Sequence, residues 1–185
     1  MKIRAHMLLT TLAAFSLLAM VAAIAGQTAS TPSNASANPS FCSAAEYKQF
    51  DFWLGDWDVY DVDAPDKVVA RGRVDRILDG CVLQEDYQQN DGLRGRSFNH
   101  YDSSRKVWHE NWVTNRGTML SFEGAMQSGE MIMNAAYHRD GKEVLVRDTW
   151  KPVDGGVRET AVRSSDGGKT WETMFDMIFR PHKQT

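Results

Sequence analysis

From Phe52 to about Arg180 the chain alternates between short runs rich in Val, Trp, Tyr, Phe and Thr and brief clusters of Gly, Asn, Asp and Ser. Inside the runs, apolar and polar positions alternate with a period of two, the pattern of strands with one buried face. The punctuation is regular: Ala64-Pro65-Asp66, Asp79-Gly80, Asn90-Asp91-Gly92, Asp102-Ser103-Ser104, Asn115-Arg116-Gly117, Ser128-Gly129, Arg139-Asp140-Gly141, Asp154-Gly155-Gly156 and Ser165-Asp166-Gly167-Gly168. Gly, Asn and Asp supply the positive φ that tight hairpins need. The pattern predicts ten strands, at about 52–62, 67–78, 81–88, 94–102, 105–114, 117–125, 130–138, 142–151, 156–163 and 169–180. Only 43–50 reads as a helix, a short one at the N-terminal edge of the domain, with Ser43 as its cap and Glu46 three residues on.

Hairpins without long crossovers predict an all-β fold, an antiparallel up-and-down barrel of about ten strands, because closure removes exposed edges. A β-sandwich is the alternative, but its Greek-key connections run longer than these. A barrel of this size encloses room for side chains or one small ligand.

The first forty residues follow a different pattern. Lys2 and Arg4 precede an apolar run from Met7 to Ala25, and Ala23, Ala25 and Gly26 close it. This is the order of a secretory signal, predicted over 1–26. An uncleaved transmembrane anchor is the rival, and the membrane is a partner only through this segment before cleavage. Gln27 to Ser40 is almost entirely Thr, Ser, Ala, Asn and Pro, so 27–40 reads as a disordered linker. The barrel domain is expected at 41–185, in the periplasm or secreted. Without Lys2 and Arg4, the 21 basic residues fall to 19 against 24 acidic ones. That balance offers no basic stripe for nucleic acid.

Two cysteines cannot build a tetrahedral Cys₄ zinc site in one chain. In an exported domain Cys42 and Cys81 are expected to pair, with two buried thiols as the other reading. The chain lacks a His-Glu-x-x-His helix motif, a Gly-x-Ser-x-Gly elbow, a phosphate-binding Gly-Lys-Ser/Thr loop and a dinucleotide fingerprint. Zinc protease, hydrolase and nucleotide readings lose their support, and no cofactor or metal is expected. His100, His109 and His138 read as ordinary surface or core residues, since a haem barrel needs one inward His beneath an open face.

The candidate chemistry lies on shared strand faces. Trp108, Glu110 and Trp112 alternate and therefore face one way, as do Leu83, Glu85 and Tyr87, and Ser97, Asn99 and Tyr101. Pointed inward, they form an aromatic interior with sparse acids and amides, the composition of a ligand pocket. A buried Glu needs a partner, and Arg147 or Arg158 is the expected counter-ion. The pocket set is therefore Glu85, Tyr87, Ser97, Asn99, Tyr101, Trp108, Glu110, Trp112 and Arg147, and the partner a small apolar or aromatic molecule. The alternatives are a cofactor-free isomerase, cyclase or hydrolase using Glu85 as acid or base, and a structural or interaction module of the cell envelope.

Two resemblances add to this. Ser164-x-Asp166-x-Gly168-x-Thr170-Trp171 resembles the Asp-box hairpin repeated in sialidase propellers; it occurs once, so it reads as a stable hairpin and not as a glycosidase. Phe50-Asp51-Phe52-Trp53-Leu54-Gly55-Asp56-Trp57-Asp58, Gly80-Cys81-Val82-Leu83-Gln84-Glu85, Gly95-x-Ser97-x-Asn99-x-Tyr101-Asp102, Trp108-x-x-x-Trp112-Val113, Thr149-Trp150 and Asp166-Gly167-Gly168-Lys169-Thr170-Trp171 together resemble a family of exported bacterial proteins of unknown function. The resemblance covers nearly all of the chain after Cys42 and implies export and a lipocalin-like (calycin) barrel. The family often has Gln where Glu110 stands and Asp where Thr114 stands, which weighs against an essential acid at Glu110.

Overall fold

In the computed structural model, which describes residues 41–183, each turn cluster separates two strands. The expected signal peptide and linker, with residues 184–185, lie outside the described residues. The strands are β1 (Gly55–Asp61), β2 (Val68–Ile77), β3 (Val82–Gln89), β4 (Arg94–Asp102), β5 (Val107–Thr114), β6 (Met119–Gln127), β7 (Glu130–Arg139), β8 (Lys142–Val153), β9 (Gly156–Ser164) and β10 (Glu172–Pro181). Each pairs antiparallel with its neighbour in sequence, and β1 pairs with β10, so the ten strands close into an up-and-down barrel. Bulges fall at Val69 in β2, opposite Val59 and Tyr60, and at Met174 in β10. Strands β3, β4 and β5 pair without interruption, so the inside–outside alternation there runs unbroken. Gly156 marks the tightest approach: a Cβ there would lie 1.9 Å from the Phe179 carbonyl oxygen, so β9 and β10 come this close only with glycine.

The helix expected over 43–50 forms differently. Two 3₁₀ turns, Ala45–Lys48 and Asp51–Trp53, take its place, and the first starts after Ala44 with no side-chain cap from Ser43. The physical reason is packing. Phe50 and Trp53 are both fully buried, and the break between the turns lets both rings enter the barrel end. Phe50 stacks on Trp53 at 5.0 Å and meets Trp108 and Trp150 edge-on at 5.8 and 5.4 Å; Trp53 also contacts Trp150 and Phe179. This aromatic plug closes one end. Trp57 Nε1 donates to the Trp53 carbonyl at 3.0 Å, and Trp108 Nε1 donates to Gln49 Oε1 at 3.1 Å, which tie the plug to the wall.

A disulfide joins Cys42 to Cys81 across 39 residues and fastens the segment before the plug to the start of β3. In the chain-entropy account, closing a loop of that span contributes about 4 kcal/mol.

The outer face carries cross-strand ion pairs: Arg71 with Asp56 and Asp58, Arg105 with Glu123, Arg158 with Asp176 and Lys151 with Glu130, while Arg163 pairs with Glu172 at the rim, in register with the inward Val146. The turn before β10 is built on Asp166. Its carboxylate accepts bonds from the Ser164 and Thr170 hydroxyls at 2.7 Å and from the Lys169 and Thr170 amides at 3.0 Å, while Trp171 Nε1 donates to the Gly168 carbonyl. Those donors hold Asp166 down to a pKa of about 2.

Candidate functional site

Above the plug the barrel holds a cavity of about 250 Å³, near the lower end of the roughly 300–1,000 Å³ typical of ligand pockets. Its mouth lies between the β3–β4 hairpin (Gln89, Leu93), the start of β6 (Thr118, Leu120) and the start of β10 (Met174, Phe175). The walls are largely apolar, with Tyr87, Trp112, Phe122, Val146, Ala161 and Met177 among them. Gly95 shapes the mouth. A Cβ there would lie 2.1 Å from the Trp112 ring, so glycine lets Trp112 lie across β4 and meet Tyr87 at 6.0 Å.

Four carboxyl groups line this cavity: Glu85 from β3, Glu110 from β5, Asp148 from β8 and Glu159 from β9. Strand alternation puts them there. Leu83, Glu85 and Tyr87 point inward together, as do Trp108 and Glu110, Val146, Asp148 and Trp150, and Val157, Glu159 and Ala161. Ser97 lies directly opposite Glu85, and Asn99 opposite Glu110. Asn99 Nδ2 donates to Ser97 Oγ at 2.9 Å, and Ser97 Oγ donates to Glu85 Oε2 at 3.4 Å. Asp148 accepts the Thr149 amide at 2.9 Å. Glu110 Oε2 and Asn99 Oδ1 have no hydrogen-bond partner in the barrel.

Burial dominates the electrostatics. It pushes Glu85 up to about 8, with Ser97 opposing and Asp148 and Asp86 adding. Burial likewise lifts Asp148 to about 7, against the Thr149 amide. Glu110 and Glu159 lie well above the usual carboxylate range, because burial is reinforced by the other acids and only partly opposed by Ser97 beside Glu110 and Trp150 beside Glu159. No guanidinium, ammonium or imidazole is among the groups acting on these four. At neutral pH the interior is therefore held largely as neutral acids.

The structure divides the expected pocket set. Glu85, Tyr87, Glu110 and Trp112 line the cavity, and Ser97 and Asn99 lie fully buried beside them. Trp108 is buried under the plug, and Tyr101 packs against Tyr47 at 5.4 Å and Trp108 at 5.9 Å, so both build the closed end. Arg147 needs correction. It lies on the outer face, its guanidinium 4.7 Å from the Trp171 ring and bonded to Asn134, because Val146 and Asp148 on either side of it point in. Arg158 is likewise outside, paired with Asp176. Neither is a counter-ion for a buried Glu.

Asp148 and Glu159 escaped the sequence reading, although Val144-Val146-Asp148-Trp150 and Val157-Glu159-Ala161 carry the same alternation that marked Glu85 and Glu110. His100 and His109 stack at 5.1 Å on the outer face, and His138 is exposed. Among the described residues no group of three or more His, Cys, Asp or Glu is arranged to hold a metal ion. No family model matches the chain, and no curated protein matches it.

Proposed function

We propose that this protein is an exported barrel, of the bacterial family its motifs resemble, that binds a small, partly apolar molecule in its interior. The observation that carries this is the cavity of about 250 Å³: apolar and aromatic walls with a few polar groups among them. Tyr87, Trp112 and Phe122 supply contact area, and Glu85, Asn99 and Glu110 orient the ligand. The plug and the disulfide keep the far end shut, so the occupant enters past Leu120 and Met174. A neutral naphthalene dye is expected to bind saturably at one site per chain. Leu120→Trp, placed at the mouth, should weaken that binding at least about tenfold, near 1.4 kcal/mol, with the melting temperature little changed. Absence of saturable dye binding, together with unchanged Trp fluorescence, overturns the reading.

A second reading is favoured by Glu85 itself. Pushed up to about 8 and bonded to Ser97, it is set to exchange a proton near neutral pH with a molecule in the cavity. In this reading the barrel is a cofactor-independent acid–base catalyst, and Glu85→Gln should lower its turnover by at least about a hundredfold. A turnover that survives Glu85→Gln unchanged removes Glu85 from that role.

A further inference from the structure

The cavity holds more acid than the barrel neutralises. The titratable side chains on its wall are Glu85, Glu110, Asp148, Glu159 and Tyr87. Strands β1, β2, β4, β6, β7 and β10 add no charged side chain to that wall. Arg76 on β2 lies nearer the plug and is occupied there by Asp51 and the carbonyls of Gly80 and Tyr47. Arg163, opposite Val146 at the end of β9, keeps the inward register but sits at the rim, where it is paired with Glu172; the other basic residues in the ion pairs described above are on the outer face.

A second observation is independent of the charge count. Glu110 is 4% exposed and Asn99 fully buried, yet Glu110 Oε2 and Asn99 Oδ1 have no donor. Asn99 Oδ1 is an acceptor, Glu110 Oε2 becomes one whenever it carries no proton, and they belong to residues facing each other across β4 and β5. One N–H of Asn99 is given to Ser97, and the Ser97 hydroxyl to Glu85. This corner of the cavity therefore asks for a group rich in N–H donors. An ammonium brings three donors and no acceptor, whereas a hydroxyl brings one donor with acceptors of its own. The acids are spread over four strands rather than converging on one point, which suits an organic cation better than a metal ion. The aromatic walls provide ring faces that attract such a cation.

We propose that the ligand of this cavity is an apolar amine: a small hydrocarbon or aromatic body whose ammonium sits among Glu85, Glu110, Asp148 and Glu159. This rests on the reading that the cavity binds a ligand, and it names the ligand's class. Entry of one ammonium ionises one carboxyl group, whose proton passes to solvent. The remaining acids stay neutral and share hydrogen bonds with the new pair. The aromatic or aliphatic body lies toward Trp112, Leu120 and Phe122, and the mouth sets its length.

The test compares three molecules of one shape: 2-phenylethylamine, 2-phenylethanol and phenylacetate, by calorimetry on the folded protein. At pH 8 the amine should bind at least tenfold tighter than the alcohol, and phenylacetate weakest. The preference should shrink toward pH 5, where the acids hold their protons more firmly. Heats measured at pH 6, where the acids still hold their protons, in buffers of different ionisation enthalpy should show close to one proton released per amine bound. In the quadruple variant Glu85→Gln, Glu110→Gln, Asp148→Asn and Glu159→Gln the amine should bind no tighter than the alcohol, and a cooperative thermal melt reports that the barrel is folded. Alcohol or phenylacetate binding as tightly as the amine at pH 8, while the neutral dye still binds, overturns the amine assignment alone. If the dye and all three molecules fail to bind, the binding reading falls and the amine assignment with it.

Discussion

The barrel should melt at a higher temperature at pH 5.5 than at pH 8.5, by roughly 10 °C or more given 2–4 °C per kcal/mol at this size. Proteins whose carboxylates are paired in the folded state behave the other way and lose stability on acidification. Here Glu85 and Asp148 have folded pKa values raised above their unfolded ones, to about 8 and about 7. The folded state therefore binds more protons than the unfolded chain between about pH 4 and 8. Stability is intact below the unfolded pKa and declines as pH rises through the folded one. At about 1.4 kcal/mol per pKa unit, Glu85 alone amounts to several kcal/mol across that window.

The outer carboxylates do not offset this trend. Asp166, Asp176, Glu123, Asp102 and Asp91 are all shifted downward by their hydrogen bonds and ion pairs, so their contribution changes only below about pH 4. His100 acts in the opposite sense: burial lowers it, and its contribution is gained as pH rises past its unfolded value. It is one partly buried group against four interior acids. Thermal melts followed by circular dichroism from pH 5 to 9 give the profile. A quadruple neutral variant, with Glu85→Gln, Glu110→Gln, Asp148→Asn and Glu159→Gln, should flatten it and exceed the parent at pH 8.5. A parent profile that is flat or rises over this range would mean that the interior acids are ionised or solvated, contrary to the electrostatics described.

Trp53→Ala should cost about 3–5 kcal/mol, the usual range for removing a large aromatic from a packed core. Trp53 is fully buried and touches Phe50, Trp150 and Phe179, three of the rings that make the plug. Its loss leaves a void under the cavity floor that Phe50 alone cannot fill. Trp53→Phe should cost much less, since the ring contacts largely survive and the Trp53 indole N–H has no partner to lose. Urea unfolding midpoints at fixed m-value measure both. A cost for the alanine variant below about 1 kcal/mol would show that the barrel end is not packed as described.

The turn residues made most of the fold legible. Asn90-Asp91-Gly92, Ser128-Gly129 and Arg139-Asp140-Gly141 each close a hairpin at the expected place, and the ten strands match their predicted spans within a few residues. The faces of β3, β4 and β5 were readable because those strands carry no bulge; the irregularities lie in β2 and β10, where a period-two count cannot place them. What sequence reasoning missed follows from one assumption. A buried acid was expected to require a cation, and Arg147 stood ready on β8. In a low-dielectric interior a carboxyl can instead be neutralised by keeping its proton. That removes the need for Arg147 inside and leaves room for Asp148 and Glu159, which the same alternation had placed inward. The N-terminal turns were illegible for another reason: a capping pattern at Ser43 is local, whereas the burial of Phe50 and Trp53 depends on Trp108, Trp150 and Phe179, far away in sequence.

The hidden acids also change what the barrel presents to its surroundings. Residues 41–183 contain 24 acidic and 19 basic side chains, so by composition the domain is plainly anionic. With four acids kept neutral inside, 20 negative groups face 19 positive ones, and the outer skin is within one charge of balance. Such a surface exerts little long-range pull on charged macromolecules, whatever the composition implies. The folded barrel should therefore focus at a higher pH than its unfolded chain. Its mobility in an electric field becomes a readout of the interior, changing when the buried acids ionise even though no outward-facing group has altered.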